Sequence, residues 1–195
     1  MDFDEIGPLF RLVARLVIPE LMKSFVDYML GRCSADNALQ FYIWTYGIGA
    51  GVMVTDKCTM LLEGSFEEAC GTEGFRTLPL EHLRNLLSDR ELQVSSEKIV
   101  FDALIAWTSV NFDQREQHLA FFLPLVRFQT MTIEELTVVA SNKVALGQSS
   151  RSVFSDLVRA ALASHAGRVN ACGVPTGRVE RWRRELPPIS WRNCT

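Results

Sequence analysis

Apolar residues recur in this chain every three or four positions from one end nearly to the other, and that spacing restricts it to amphipathic helices. Ile6, Leu9, Phe10, Val13 and Val17 set the pattern. Ile18, Leu21, Met22, Phe25, Val26 and Met29 repeat it behind Pro19, a residue suited to a first helical turn. The second helix is expected to stop at Gly31. A third starts at the cap Ser34 and ends in the alternating Gly47, Gly49 and Gly51, which read as a turn. A fourth runs from about Val52 to Cys70 with Val54, Cys58, Leu61 and Leu62 inward, weakened at Gly64 by about 1 kcal/mol relative to alanine.

The middle of the chain carries the same signal with clearer boundaries. Pro79 opens a short helix bearing Leu83, Leu86 and Leu87. Ser95 or Ser96 caps a helix whose inner face is Val100, Ala103, Leu104 and Trp107, and Glu97 in its first turn favours the positive end of the helix dipole. Leu119, Phe122, Leu123 and Val126 mark another helix that Pro124 ends or kinks. Thr132 with Glu135 forms a capping box before Leu136 and Val139. Phe154, Leu157, Val158, Ala161 and Leu162 form a last stripe, closed by Gly167.

No alternating strand pattern of useful length and no Asn-Gly or Asp-Gly hairpin turn interrupts this series, so the expected fold class is all-α. Short connections make consecutive helices antiparallel, giving a stack of helical hairpins. With 195 residues, 48% of them hydrophobic, the chain can bury a sizeable core. After Gly167 the character changes. Six arginines against two glutamates, together with Pro175, Pro187 and Pro188, predict a basic, flexible tail.

Composition excludes several functions. The net charge of -3 comes from interspersed charges of both signs, so no basic face points to a nucleic acid. The uncharged run from Asn37 to Thr55 has the length of a membrane span, but its three glycines and its polar residues fit a turn between helices better. The five cysteines are widely spaced with no CxxC pair, which favours a reducing compartment, and the acidic start Met1-Asp2-Phe3-Asp4-Glu5 lacks the form of a secretory signal.

Reactive centres are also missing. His82, His118 and His165 stand on three different predicted helices with no ligand partner at metal spacing. Ser155 and Ser164 lack a nucleophile elbow, and the Gly47 run lacks the lysine of a phosphate loop. In Glu67-Glu68 and Glu134-Glu135, adjacent side chains point about 100° apart on a helix and cannot share a substrate. No catalytic residue, metal site, cofactor or small-molecule substrate is expected.

The order of residues carries more than their period. Phe75, Leu78-Pro79, Leu83, Leu87, Leu92, Val94, Ser96-Glu97, Val100-Phe101, Ala103 and Trp107 are followed by Arg115 eight positions on, then Leu119, Leu123 and Val126-Arg127. From Phe66 to Leu136 this series resembles the BACK domain of BTB-Kelch proteins. Leu9 to Leu30 looks like the last BTB-side helices and the three-box that precede BACK, and Val153 to Leu162 looks like its closing helix. The resemblance divides the chain into three-box-like helices at 1–33, a BACK-like domain at 34–167 and the tail at 168–195. Asn111 departs from the pattern, standing where the family often has aspartate.

The resemblance implies a role in protein ubiquitination. In the family the BTB domain and three-box hold cullin-3, BACK is a helical spacer, and a Kelch propeller selects the substrate. Neither the strand-bearing part of a BTB domain nor a Kelch repeat falls in this sequence. The expected function is a non-catalytic interaction scaffold whose partners are cullin-3 or BTB-Kelch proteins, in the cytoplasm or the nucleus. The alternative is a truncated gene product that keeps the fold without a ligase role. Leu12 and Leu16 on the flank of the first stripe, with Tyr28 and Leu30 off the stripe of the second, are the candidate partner-binding residues, either as an exposed patch or as parts of wide packing stripes.

Overall fold

The helical spacing becomes ten α-helices in a computed structural model that describes residues 3–46, 48–141 and 146–172. Among the described residues there is no strand, as an all-α fold requires. The helices are α1 Phe3–Leu16, α2 Pro19–Arg32, α3 Ala35–Thr45, α4 Val52–Ala69, α5 Glu73–Arg76, α6 Leu80–Ser88, α7 Glu97–Val110, α8 Phe112–Phe122, α9 Ile133–Ser141 and α10 Gln148–Cys172. They fall into two compact units, Met1–Leu78 and Pro79–Thr195.

In the first unit α3 and α4 form the main packed pair, with α1 lying on α2 and α3 and α2 on α4. Ile6, Phe10, Val13, Phe25, Met29, Phe41, Val54, Leu62 and Phe66 fill the space between them. Where α1 passes α3 the chain uses Gly7, because a Cβ there would run into the Trp44 indole. Pro19 occupies the first turn of α2, as its fixed φ suggests, and Ser34 stands at the start of α3. The Asn37 side chain ties those helix ends together, accepting from the Ser34 N–H at 2.9 Å and donating to the Arg32 carbonyl at 2.8 Å. Gly31 does not end α2; the helix continues to Arg32 and Cys33 is its extended cap.

Between α3 and α4 the expected glycine turn is a short 3-10 turn, Gly49–Gly51. Helix α4 bends at Ser65 rather than at Gly64: the Ser65 backbone is non-helical, and its hydroxyl donates back to the Leu61 carbonyl at 2.7 Å. The four-residue α5 has too short an apolar pattern to announce itself, and is set by Thr72 accepting the Phe75 N–H and by burial of Phe75 against Phe66.

In the second unit α10 is the central element, packed on α8, α9 and the two 3-10 turns Leu123–Leu125 and Phe128–Thr130. Pro124 ends α8 by converting its last turn to 3-10 geometry. Phe101, Phe128 and Phe154 form a closed aromatic triangle with centroids 5.7 to 5.9 Å apart, joining α7, a 3-10 turn and α10. Helix α10 runs through Gly167 to Cys172, so that glycine does not close it; an interior glycine costs only about 1 kcal/mol, which a long packed helix absorbs. The basic segment from residue 173 onward lies outside the described residues.

Candidate functional site

The residues that carry the sequence pattern in the second unit are structural. Arg115 reaches back across one turn of chain to lay its guanidinium over the Trp107 ring, 4.1 Å from the centroid, while Nη1 donates to the Trp107 carbonyl at 2.6 Å. This explains the spacing of eight: the arginine satisfies a carbonyl at the C-terminal end of α7 and covers the buried indole. Burial lowers the Arg115 guanidinium from its ordinary value without discharging it.

Glu97 is buried for a comparable reason. Its Oε2 accepts the Arg127 backbone N–H at 3.2 Å, so the carboxylate at the start of α7 holds the turn after α8 in place. Ser96 caps α7 through the Lys98 N–H at 3.0 Å and donates its hydroxyl proton to Glu135 Oε1 at 2.7 Å. Glu135 Oε2 in turn accepts the Thr132 N–H at 2.8 Å, completing the capping box of α9.

The three histidines stay apart from each other's chemistry. His82 is buried on α6, where desolvation pushes its pKa below the ordinary 6.5. His118 lies half-buried on α8, and His165 on α10 donates from Nε2 to the Met131 carbonyl at 2.8 Å. Among the described residues no group of three or more His, Cys, Asp or Glu is arranged to hold a metal ion. No described helix is long and apolar enough to cross a membrane.

The first unit carries a different feature, an apolar surface at the turn between α1 and α2. Leu12 and Leu16 are 51% and 53% exposed, and they are joined by Val17 at 80%, Ile18 at 44% and Leu21 at 42%. The other two sequence candidates, Tyr28 and Leu30, are half-buried on α2. Tyr28 packs on Phe25 at 6.1 Å between centroids and lies under the Arg32 guanidinium at 4.7 Å, while the Leu30 carbonyl accepts Lys57 Nζ at 2.6 Å.

Periodicity places Val17, Ile18 and Leu21 on the apolar stripes, and the structure turns them outward. Helix α1 ends at Leu16, Val17 takes a left-handed backbone with φ of 53°, and Ile18 is extended ahead of Pro19. The proline was the available signal, since it forbids a continuous helix through residue 18 and so breaks the register of both stripes.

Comparison with known proteins agrees with this architecture. Residues 52–140, from the start of α4 almost to the end of α9, match the family model for BACK, "BTB And C-terminal Kelch". Human Kelch-like protein 11 is 28% identical over 130 residues, covering 63% of this chain and 18% of the human protein. Mouse Kelch-like protein 11 is 29% identical over 111 residues, covering 53% of this chain and 16% of the mouse protein. The chain thus matches less than a fifth of the length of either relative. The matched segment contains Trp107 with its stacked arginine, Glu97 with the Arg127 N–H, and the α7–α9 caps, so these contacts lie within the part of the chain, residues 52–140, that is similar to the BACK domain.

Proposed function

We propose that this chain is a non-catalytic protein-interaction scaffold that works with the BTB-Kelch adaptors of cullin-3 ubiquitin ligases. The observation that carries the reading is the exposed apolar surface of Leu12, Leu16, Val17, Ile18 and Leu21. Large contiguous apolar side chains on a protein surface mark contact sites, because leaving them in water forgoes the free energy of burial. On this reading residues 1–33 are the three-box-like helices that present the surface and residues 34–167 are the BACK-like support, with residues 168–172 continuing α10 ahead of the remaining basic segment. Tyr28 and Leu30 contribute the edge of the contact. Ser96, Glu97 and Glu135 of the second unit are engaged in helix caps and a turn, a structural use of polar groups that is in keeping with a scaffold.

The test is affinity purification of the intact chain and of a Leu12→Asp, Leu16→Asp variant, followed by binding of purified cullin-3 and of BTB-Kelch proteins. Both leucines are exposed, so the variant should keep its helical circular dichroism spectrum and its melting temperature. Partner capture by the intact chain and its loss in the variant is the expected result. Equal capture by both, or none by either at high concentration, refutes the proposal.

A further inference from the structure

Five cysteines at wide spacings gave no sign of a pair, yet the fold brings two of them together. Cys33 Sγ lies 3.3 Å from Cys58 Sγ, across 25 residues of chain. Cys58 is fully buried in the middle of α4, and Cys33 is half-exposed at the C-cap of α2, where its backbone is extended with φ of -68° and ψ of 121°. The end of α2 is held against α4 at the same place by Lys57, whose ammonium donates to the Leu30 carbonyl at 2.6 Å. A disulfide needs its sulfurs about 2 Å apart, so closing this pair takes about 1 Å of movement, within reach of a side-chain rotation at a cap outside the helical hydrogen-bond ladder.

From this juxtaposition we infer that Cys33 and Cys58 form a reversible thiol–disulfide site, oxidised by hydroperoxides and closed or opened while α2 stays on α4. The two thiols divide the work. Burial, with the neighbouring Cys33 thiol, raises the Cys58 pKa, so Cys58 stays protonated and out of reach of solutes. Cys33 is the sulfur that a peroxide can reach. Its thiolate attacks one peroxide oxygen, the O–O bond breaks, and the displaced hydroxide takes a proton to leave as water, giving a sulfenic acid. The Cys58 sulfur then attacks the Cys33 sulfur, the S–O bond breaks, and the departing hydroxide takes the Cys58 proton as a second water. Two thiols are oxidised by two electrons and one hydrogen peroxide is reduced to two waters. Proximity compensates for the weak nucleophilicity of a protonated, buried thiol.

The test uses the full chain, freshly reduced, treated with hydrogen peroxide and digested without reductant for peptide mapping. The expected product is a Cys33–Cys58 bridged peptide as the dominant cysteine pair, lost on dithiothreitol treatment. Labelling with N-ethylmaleimide after denaturation should find almost no free Cys58 in the oxidised chain, and a free Cys58 in a Cys33→Ser chain treated alike. The inference is overturned if Cys33 stops at sulfenic or sulfinic acid while Cys58 remains free. It is equally overturned if the bridges are the same mixture of cysteines that urea-unfolded chain produces.

Discussion

Replacing Val17 with glycine should stabilise the fold and weaken partner binding at once. Val17 holds a left-handed backbone at φ of 53° with its side chain almost wholly in solvent, so the substitution removes a strained conformation and very little burial. An L-residue in this region costs about 1–2 kcal/mol, and a β-branched one belongs at the upper end because both branches crowd the backbone. Glycine adopts the conformation freely but returns about 0.5–1 kcal/mol through the added freedom of the unfolded chain. The net gain is about 1–1.5 kcal/mol, a rise in melting temperature of about 3–4 °C for a chain of this size unfolding in one transition. Thermal and urea unfolding followed by circular dichroism read the effect, with Val17→Ala as the control. Alanine keeps the Cβ and most of the penalty, so it should gain less than glycine. A lower melting temperature for Val17→Gly, or equal gains for the two variants, refutes the strain argument. In the binding assay Val17→Gly should capture less partner despite its higher stability, which separates loss of contact from loss of fold.

Two further outcomes follow from the second unit. Arg115→Ala should destabilise by about 2 kcal/mol, from the lost stacking on Trp107 and the unsatisfied carbonyl, and Arg115→Lys should recover little because an ammonium cannot stack and donate in the same plane; the urea midpoint measures both. His82 is held below its ordinary pKa of 6.5, so the unfolded chain binds the extra proton: the stability due to neutral His82 is present above pH 6.5 and is lost as pH falls toward the folded pKa. Subtracting the stability profile of His82→Gln from that of the native chain should leave this slope, and identical profiles would disprove it.

What could be read before the structure was what local physics decides. Ser96 before an apolar stripe, the Thr132–Glu135 box and Pro19 ahead of a helix each act within one turn, and each sits where its chemistry suggested. The Trp107–Arg115 spacing was visible as a pattern, but its cause, a guanidinium over an indole, needed the turn between α7 and α8 to be in place. Val17 escaped because nothing in a β-branched residue announces a left-handed backbone; tertiary context imposed it, and the outward rotation of Ile18 and Leu21 followed. Of the candidate contact residues, Leu12 and Leu16 stand on the flank of the first stripe, where periodicity alone leaves exposure and packing both open, and the covering of Tyr28 by Arg32 depends on contacts along α2 that periodicity does not resolve. The Cys33–Cys58 pair was invisible because sequence distance says nothing about which helices will lie side by side.

The Glu135 carboxylate binds the starts of two helices, one oxygen to the Ser96 hydroxyl and the other to the Thr132 amide. Fraying of either helix from its first turn disturbs the anchor of the other, so amide protons in the opening turns of α7 and α9 should exchange together, and a Glu135→Gln chain should speed both. A single acidic group thereby couples the first turns of two helices whose caps lie nearly forty residues apart in sequence, and the loss of either cap should loosen both.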